Sequence, residues 1–500
     1  TIDLLGETVV SEAEADVFLQ CNLGVLDTVA AAIAKEPSPC FSDLGPRSPL
    51  PRLNLSVKIS ALTPDVHPAD PENSIAALKQ RLRPILRRAA EVGAFINFDM
   101  ESYKFKDLTL SLFQSILEEA EFREKPAIGI ALQAYLRDCA VDLASLVAWA
   151  RDHHRPIGVR LVKGAYWDYE TVLARQREWP VPVWSKKPES DANFEALSLV
   201  LLENIDIVAP AFATQNVRSC AHVLAQAERL GIDSRAYEFQ ALYGMADELK
   251  SALRQCGQRV REYCAIGELL PGMAYLVRRL LENTSNEGFL RIRNMGEATK
   301  DELLANPVAL LEVERVVPSA PSSGVSPDRR GKESAPCVFR NAPNTDFAQA
   351  GNREKLRAAL AAVTAGLGQK WPLVIGGKKI SGRDHIASTN PAHPAQIIGH
   401  WARATVADAD AAVAAARAAQ PAWARLPANE RAGIVERAAD LMESRRQALN
   451  ALLILEAGKP WLEADGDVSE AIDFCRFYAL DMRRLEKPAV TQAVPGERCV

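Results

Sequence analysis

The sequence predicts an α/β protein that opens with a TIM-like (β/α)8 barrel over residues 1–295. Short β-branched runs alternate there with longer segments whose apolar residues recur every three or four positions, which is the pattern of strands and helices in turn. Such alternation implies parallel strands joined by crossover helices, and a closed barrel typically needs about 250 residues or more. The eight candidate strands are Ile2–Leu5, Leu55–Ser60, Phe95–Phe98, Ile128–Leu132, Ile157–Val162, Ile207–Phe212, Tyr237–Phe239 and Tyr263–Ile266.

A doubly wound open sheet is the alternative architecture for this alternation. An open sheet that binds a dinucleotide usually carries a G-x-G-x-x-G turn after its first strand. No such turn follows the first strand or any later strand in residues 1–295. The pattern therefore favours the closed barrel.

Composition narrows the class of protein. The length of 500 residues suggests two or three domains, and 48% hydrophobic with 25% charged residues is typical of globular proteins in water. A net charge of −5 gives no reason to expect a nucleic-acid partner. No uninterrupted apolar run approaches the ~18–20 residues of a membrane span. The nine cysteines form no CxxC or Cys/His cluster, so we expect no metal site and a reducing, cytoplasmic setting.

The second half of the chain begins with a predicted linker at residues 296–337. Its stretch PSAPSSGVSPDRRGKESAP is too rich in Pro, Ser, Gly and charge to bury a core. Residues 338–500 then open a second domain. Its predicted elements are an Ala-rich helix pair at about 350–366 and 405–419, a hairpin at 373–382, and a longer helix from about 428 to 456 that Gly458 and Pro460 terminate. Because Thr1 opens directly on a strand and Val500 follows no terminal pattern, we expect a fragment cut at both ends.

Polar residues stand at the C-terminal ends of seven candidate strands, where a (β/α)8 barrel carries its active site. Any one of them could be a satisfied strand-end group, but seven strands together indicate a polar ligand in the barrel mouth. The residues are Lys58, Asp99, Glu101, Gln133, Arg160, Lys163, Tyr166, Trp167, Thr214, Gln215, Asn216, Glu238, Gln240 and Tyr263.

A helical segment after the eighth strand places Tyr275, Arg278, Arg279 and Glu282 on one face, at i, i+3, i+4 and i+7. One interpretation is a solvent-exposed face with an Arg–Glu pair. The other is a carboxylate clamp, because two guanidinium groups present planar forks that match a carboxylate. The spacing alone leaves both open.

Residues 1–295 resemble the proline dehydrogenase barrel of the bifunctional bacterial proline utilisation A flavoenzymes. The matching motifs, in the family's order, are LSVKISAL, INFDMES, RLVKGAYWDYE, FATQN, YEFQALYGM and AYLVRRLLEN. Residues 338–485 resemble the start of that family's second domain, an aldehyde dehydrogenase for glutamate semialdehyde, most clearly in LILEAGKPWLEADGDVSEAIDFCRFYA. The resemblance implies a barrel followed by the N-terminal part of an aldehyde dehydrogenase-like α/β domain.

The resemblance also implies FAD, held non-covalently at the C-terminal face, and L-proline as substrate. Lys58, Arg278 and Arg279 would bind the proline carboxylate, with Asp99 pairing to Lys58 and Arg279. The residues that would enclose the proline ring are Tyr166, Leu242, Tyr263 and Tyr275. Arg160 would lie by flavin N5 and Gln133 near the isoalloxazine edge. The remaining residues that would line the cofactor are Lys163, Gly164, Ala165, Trp167, Thr214, Gln215, Asn216 and Glu282.

One departure concerns FATQN, where the family pattern is FATHN. Gln215 therefore stands in place of a histidine. An amide can still donate a hydrogen bond to a phosphate or ribityl oxygen, but it carries no charge. We expect cofactor binding to survive.

The implied reaction removes a hydride from proline C5 to flavin N5, after which electrons pass to a membrane quinone. The product would hydrolyse to glutamate semialdehyde, which the full-length protein would oxidise with NAD. The catalytic Cys, the general-base Glu and the NAD-binding turn of that second site are expected beyond this segment. We further expect a homo-oligomer in the cytoplasm, with peripheral membrane contact open. Two rival classes are a Schiff-base aldolase that uses Lys58 or Lys163 as its nucleophile, and a non-catalytic barrel scaffold.

Overall fold

The computed structural model describes residues 1–6, 8–35, 50–268, 272–273, 275–277, 304–316, 339–381 and 384–486. The chain divides into two compact units, Thr1–Gly324 and Val325–Val500. Each unit has a hydrophobic core of its own.

Unit 1 is a closed barrel in which eight parallel strands follow one another in chain order. All eight predicted strands are present, so the barrel prediction is confirmed. The strands are Ile2–Leu4 (β1), Asn54–Val57 (β2), Phe95–Phe98 (β3), Ala127–Gln133 (β4), Ile157–Val162 (β5), Val208–Ala213 (β6), Glu238–Leu242 (β7) and Val260–Ile266 (β8). Three strands differ from the prediction by three residues at one end: β2 ends at Val57 and not Ser60, β7 extends to Leu242, and β8 begins at Val260 and not Tyr263.

The helices of unit 1 surround the barrel. They are Glu12–Ile33 (α1), Pro71–Val92 (α2), Lys106–Leu117 (α3), Cys139–Asp152 (α4), Trp167–Gln176 (α5), Lys187–Glu203 (α6), Val217–Leu230 (α7), Asp247–Gln255 (α8) and Pro307–Val316 (α9). Local sequence explains their ends. In α2 the Asp70 side chain accepts a hydrogen bond from the Asn73 amide at 3.3 Å, and Gly93 closes the helix with a left-handed φ of 68°.

At the end of the barrel away from the C-terminal mouth, the ring of Phe95 on β3 lies against two glycines. A Cβ atom added at Gly129 on β4 or at Gly158 on β5 would lie 2.6 Å from Cζ of Phe95. Only glycine at both positions leaves room for this ring. The interior therefore departs from the usual layers of branched aliphatic side chains.

Helix α1 is long and apolar enough to cross a membrane by length and composition, with a mean hydropathy of 1.3. It contains no uninterrupted apolar run of that length, because Gln20, Asn22 and Asp27 interrupt the apolar residues. Length and composition are weak evidence of a span. Asp16 and Asp27 on α1 pair with Arg81 and Arg88 on α2 at 2.9 and 2.6 Å.

Part of the predicted linker 296–337 is helical. Residues Pro307–Val316 form α9, which contacts α6. Just before it, the Leu304 carbonyl accepts a hydrogen bond from Nη1 of Arg218 at 3.3 Å. This segment carries the apolar and charged residues of a helix, PVALLEVERV, whereas a Pro- and Ser-rich stretch follows it. That stretch lies outside the described residues.

Unit 2 contains a hairpin, a three-stranded sheet and a group of helices. Its strands are Gln369–Trp371 (β9), Leu373–Ile375 (β10), Lys378–Ile380 (β11), His385–Thr389 (β12) and Ile397–Ala402 (β13). Its helices are Ala350–Ala365 (α10), Val406–Arg425 (α11), Ala428–Ser444 (α12), Arg446–Ala457 (α13) and Trp461–Leu485 (α14). The predicted Ala-rich helices and the hairpin are confirmed.

The prediction of one continuous helix over residues 428–456 is wrong. It breaks at Arg445, where the backbone leaves helical geometry at φ −112° and ψ 14°. Beyond the break, Nη1 of Arg446 donates to Oγ of Ser469 on α14 at 2.7 Å. A contact with a residue far along the chain thus overrides a local pattern that favours one continuous helix. Gly458 ends α13 in the left-handed region at φ 69°, as expected.

Candidate active site

Charged residues converge at one mouth of the barrel, formed by the C-terminal ends of its strands. Lys58 directly follows β2, Asp99 follows β3, and Arg160 lies within β5. Their exposed fractions are 8%, 8% and 4%. Charges held this far from water are costly unless they pair with one another or face a ligand. Their partners therefore define the site.

Asp99 is the centre of this site. Its Oδ1 accepts a hydrogen bond from Nη1 of Arg160 at 2.7 Å, and its Oδ2 accepts one from the Tyr263 hydroxyl at 2.7 Å. Nζ of Lys58 lies 3.5 Å from the same Oδ2. The predicted pairing with Lys58 is present, whereas Arg279 lies outside the described residues. Lys58, Asp99, Arg160 and Tyr263 are called the Asp99 cluster below.

Asp3 on β1 joins this cluster, and the sequence analysis missed it. It is buried and accepts a short hydrogen bond from Nζ of Lys58. The signal was present, because Asp3 is the one charged residue within the apolar run of β1. Burial raises the pKa of Asp3 above its ordinary value, although the charge of Lys58 opposes this. With both carboxylates ionised, the charges of Asp3, Lys58, Asp99 and Arg160 balance in sign, two negative and two positive. These four residues together therefore carry no net charge.

Arg160 reaches from β5 across the barrel interior to β2. Both of its terminal nitrogens donate to Oγ of Ser56 at 3.2 Å. The guanidinium group lies 5.1 Å from the centroid of the Tyr263 ring, within the range of a cation–π contact. Its Nε is buried and has no hydrogen-bond partner among the described residues. One donor of this arginine therefore remains for a ligand.

A second, partly buried ion pair joins the last two strands. Arg261 on β8 contacts Glu238 on β7 through two nitrogens, with Nε–Oε1 at 2.9 Å and Nη2–Oε2 at 3.0 Å. Gln240 donates to the same carboxylate at 2.7 Å. The sequence singled out Glu238 and Gln240 as polar strand residues but did not find Arg261. This pair joins β7 to β8 four residues before Leu242 and two residues before Tyr263.

The loop after β5 carries Lys163 and Gly164, both predicted to line the cofactor. Nζ of Lys163 forms a short ion pair with Asp191 on α6, whose other oxygen lies 2.7 Å from Nζ of Lys187. Burial lowers the pKa of Lys163 below its ordinary value, although Asp191 opposes this. Gly164 has φ +132°, and a Cβ there would lie 2.4 Å from the Tyr135 ring. Glycine is therefore required at this position.

Some side-chain atoms of the predicted residues at the ends of β4 and β6 bond within the protein, and others have no hydrogen-bond partner among the described residues. Nε2 of Gln133 donates to the Met100 and Glu101 carbonyls at 3.3 and 3.2 Å, while its Oε1 is buried without a partner among the described residues. Asn216 caps α7 by accepting the Ser219 amide at 3.2 Å, and Oγ1 of Thr214 accepts the Asn216 amide at 3.1 Å. Nε2 of Gln215 is buried and likewise without a partner in the described part of the chain.

The other predicted site residues are placed as follows. Tyr166 and Trp167 lie at the start of α5, with Ala165 just before them, and Trp167 donates to the Trp184 carbonyl at 2.7 Å. Leu242 ends β7. Tyr275 is half-buried. The other three members of the predicted set, Arg278, Arg279 and Glu282, lie outside the described residues.

The charged state of the Asp99 cluster follows from its contacts. Burial alone would raise the pKa of Asp99, but the charges of Arg160 and Lys58 outweigh it, so this pKa lies below its ordinary value. Burial alone would lower the pKa of Lys58, but Asp99 and Asp3 outweigh it, so this pKa lies above its ordinary value. Both groups are therefore charged around neutral pH.

The lowered pKa of Asp99 and the raised pKa of Lys58 predict how the free energy of unfolding depends on pH. Asp99 contributes stability above the ordinary Asp pKa of about 3.9 and loses it as the pH falls through its lower folded-state pKa. Lys58 contributes below the ordinary Lys pKa of about 10.4 and loses it as the pH rises through its higher folded-state pKa. The difference in free energy of unfolding between wild type and Asp99→Asn should therefore be constant from about pH 5 to 9 and shrink below about pH 4. Urea unfolding at a series of pH values measures this difference; a change across the neutral range would contradict the assignment.

A closed parallel barrel with buried, paired charges at its C-terminal mouth defines the class of (β/α)8-barrel enzymes. Comparison with known proteins gives the family within this class. The chain belongs to the proline dehydrogenase family, which it matches over residues 1–292, and residues 379–500 match the aldehyde dehydrogenase family.

Relatives with both kinds of domain cover almost the whole chain. The bifunctional protein PutA of Salmonella typhimurium is 31% identical over 496 residues, which are 96% of this chain and 36% of that protein. The 1-pyrroline-5-carboxylate dehydrogenase of Geobacillus thermodenitrificans is 41% identical over 159 residues, which are 32% of this chain and 31% of that protein. The chain thus spans about a third of the length of these curated relatives.

Solved structures support the same family assignment. Proline utilization A from Bdellovibrio bacteriovorus, inactivated by N-propargylglycine, has a TM-score of 0.89 and 44% identity, and the match covers 99% of this chain and 50% of that chain. The Bradyrhizobium japonicum protein, a D779Y mutant, has a TM-score of 0.74 and 30% identity, covering 97% of this chain and 44% of that chain. The resemblance stated from the motifs is confirmed. The roles of the individual site residues stay predictions.

Proposed function

We propose that this chain oxidises L-proline to Δ1-pyrroline-5-carboxylate with FAD bound at the barrel mouth. The observation that carries the proposal is the Asp99 cluster, a buried group of fixed charges where a barrel enzyme binds its substrate. Family membership supports the same reaction. The Schiff-base alternative is less well supported, because Lys58 contacts two carboxylates and Lys163 is paired with Asp191.

The residues at the mouth fit a flavin. Among the predicted cofactor-lining residues that the structure describes, Oε1 of Gln133, Nε of Arg160 and Nε2 of Gln215 are buried polar atoms without partners, one acceptor and two donors. Buried polar groups are normally hydrogen-bonded, so these three atoms call for a polar ligand. Gln133, Arg160, Lys163 and Gln215 would hold FAD, and FAD bound there would supply the two-electron oxidation.

The charge balance indicates how proline would be held. The four described charges around Asp99 cancel, so the negative carboxylate of proline needs further cations. Arg278 and Arg279, which follow Tyr275 in the sequence, would supply them. Lys58, fixed by Asp3 and Asp99, would donate to the same carboxylate. Tyr166, Leu242, Tyr263 and Tyr275 would enclose the ring and exclude water.

The wider function is proposed on the relatives. The full-length protein would pass electrons to a membrane quinone and oxidise glutamate semialdehyde to glutamate with NAD in the aldehyde dehydrogenase domain, by direct channelling of the intermediate. It would act in the cytoplasm, with peripheral contact to the membrane, as a homo-oligomer.

The visible spectrum of the purified protein tests the proposal. We expect flavin absorbance that bleaches on anaerobic addition of L-proline and does not change with D-proline. A colourless protein that does not respond to proline would refute it. Covalent trapping of a carbonyl substrate by borohydride at Lys58 or Lys163 would support the Schiff-base class instead.

Removing either arginine of the predicted clamp should weaken substrate binding. Truncating one partner of a buried charge pair costs about 2–5 kcal/mol, so Arg278→Ala or Arg279→Ala should raise the KM for proline about 30-fold or more. The flavin content should stay near that of wild type. Steady-state kinetics with an artificial acceptor measure both variants. Arg151→Ala, at an exposed arginine that pairs with Asp206, is the control, and an unchanged KM in both clamp variants would remove the assignment.

A further inference from the structure

We propose that Glu101 is a positioning residue that fixes Lys58 for binding the substrate carboxylate. The inference rests on the proposed function. Glu101 follows β3 and is buried, with 6% of its surface exposed. It reaches the turn that begins at Lys58 rather than the barrel centre, where Asp99 makes its contacts.

Two hydrogen bonds of the Glu101 carboxylate go to one residue of this turn. Its Oε2 accepts the backbone N–H of Ser60 at 3.1 Å, and its Oε1 accepts the Ser60 hydroxyl. One carboxylate therefore holds both the main chain and the side chain of Ser60, two residues after Lys58. Hydrogen bonds to a charged acceptor are stronger than neutral ones, so this attachment is firm.

The turn needs such an attachment because its own hydrogen bonds are few. Residues Ile59–Ala61 form one 3₁₀ turn, in which the Ala61 amide donates to the Lys58 carbonyl at 3.3 Å and the Leu62 amide to the Ile59 carbonyl at 3.1 Å. A single 3₁₀ turn has poor hydrogen-bond geometry. Since Lys58 lies at its start, a shift of the turn moves the base of the Lys58 side chain. A displacement of that kind misplaces the ammonium group relative to a bound carboxylate.

The backbone carbonyl of Glu101 contacts a residue on the cofactor side of the site. Its carbonyl accepts Nε2 of Gln133 at 3.2 Å, which fixes a residue proposed to contact the cofactor. This contact uses the backbone and does not depend on the Glu101 carboxylate. A change confined to the side chain therefore separates substrate positioning from cofactor positioning.

The test compares Glu101→Gln, Ser60→Ala and the double variant in the flavin-loaded protein. Glu101→Gln keeps the shape but loses the charge that Ser60 contacts, and we expect the KM for proline to rise about tenfold. The kcat and the flavin content should stay within about twofold of wild type. Binding of cyclopentanecarboxylate, a ring carboxylate that lacks the oxidised C–N bond, should weaken by a similar factor in calorimetry.

A double-mutant cycle shows whether Glu101 acts through Ser60. If it does, the double variant has a KM no higher than that of Glu101→Gln alone, because both changes remove the same contact. Ser198→Ala is the matched control: Ser198 is a fully buried serine that donates to the Glu195 carbonyl at 2.8 Å on α6, and its removal should leave the KM unchanged.

Three results would overturn the inference. They are an unchanged KM in Glu101→Gln, a parallel loss of kcat, flavin and thermal stability, and additive effects in the double variant. Failure of the proposed function is distinguishable, because the wild-type protein would then not oxidise proline at all.

Discussion

Replacing Asp99 with alanine is expected to lower kcat/KM for proline by about 100-fold or more. Asp99 accepts hydrogen bonds from Arg160 and Tyr263 and pairs with Lys58. Removing one partner of a buried charge group costs about 3–5 kcal/mol, because the remaining charges lose their counter-ion away from water. The substitution should also lower the Tm by several degrees. Steady-state kinetics and thermal unfolding of the purified variant measure the two effects.

Asp142→Ala is the matched control for Asp99→Ala. Asp142 on α4 is largely buried and lies 2.9 Å from Nζ of Lys106, so its removal also breaks an enclosed ion pair. Its loss should cost stability without a comparable loss of kcat/KM. Equal kinetic losses in the two variants would assign the effect on Asp99 to general destabilisation. Near-normal activity of Asp99→Ala would remove Asp99 from the site.

Arg160→Met is expected to reduce both flavin occupancy and kcat, each by a large factor. The methionine side chain occupies a similar volume but cannot donate a hydrogen bond to Asp99 or Ser56. The substitution also removes one of the cations that pair with Asp99. The buried Nε is also one of the three polar atoms available for the cofactor. An effect of about 3 kcal/mol on the reaction barrier corresponds to a fall in kcat of more than 100-fold. The ratio of flavin absorbance to protein absorbance reports the occupancy.

Two further variants make the test of Arg160 specific. Arg160→Lys keeps the charge, but one ammonium group does not reproduce the fork that reaches Asp99 and Ser56, so we expect only partial recovery. Arg155→Met removes a buried arginine before β5 whose Nη2 donates to the Pro126 carbonyl at 2.8 Å, at the opposite end of the barrel. It should lower stability while leaving the flavin content intact. Full flavin content and full kcat in Arg160→Met would contradict the role of this residue.

The strands and their polar ends could be predicted because both signals are local. Each β-branched run marks its own strand, and chain order then fixes the neighbours in a parallel barrel. The contacts within the site were harder to predict from the sequence. Asp99 and Tyr263 are 164 residues apart in sequence, and Asp3 and Lys58 are 55 apart. Periodicity indicates that a residue faces inward, but it does not name the partner across the barrel.

The missed and misplaced features have the same physical origin. Arg261 was not identified because the predicted eighth strand began at Tyr263, two residues later, and its contact with Glu238 on β7 joins two different strands. The division of the predicted helix at Arg445 follows from the contact of Arg446 with α14. Both are long-range effects that a local pattern does not contain. The family motifs supplied what local patterns did not, namely the substrate and the cofactor.

The Phe95 ring and the two glycines beside it link three strands of the barrel. A Cβ at Gly129 or Gly158 would lie 2.6 Å from Cζ of Phe95, so a larger residue on β4 or β5 would displace a ring carried by β3. Asp99 directly follows β3, and Arg160 lies two residues after Gly158 on β5. Replacing either glycine would therefore reach the Asp99 cluster through the backbone, without changing any charge.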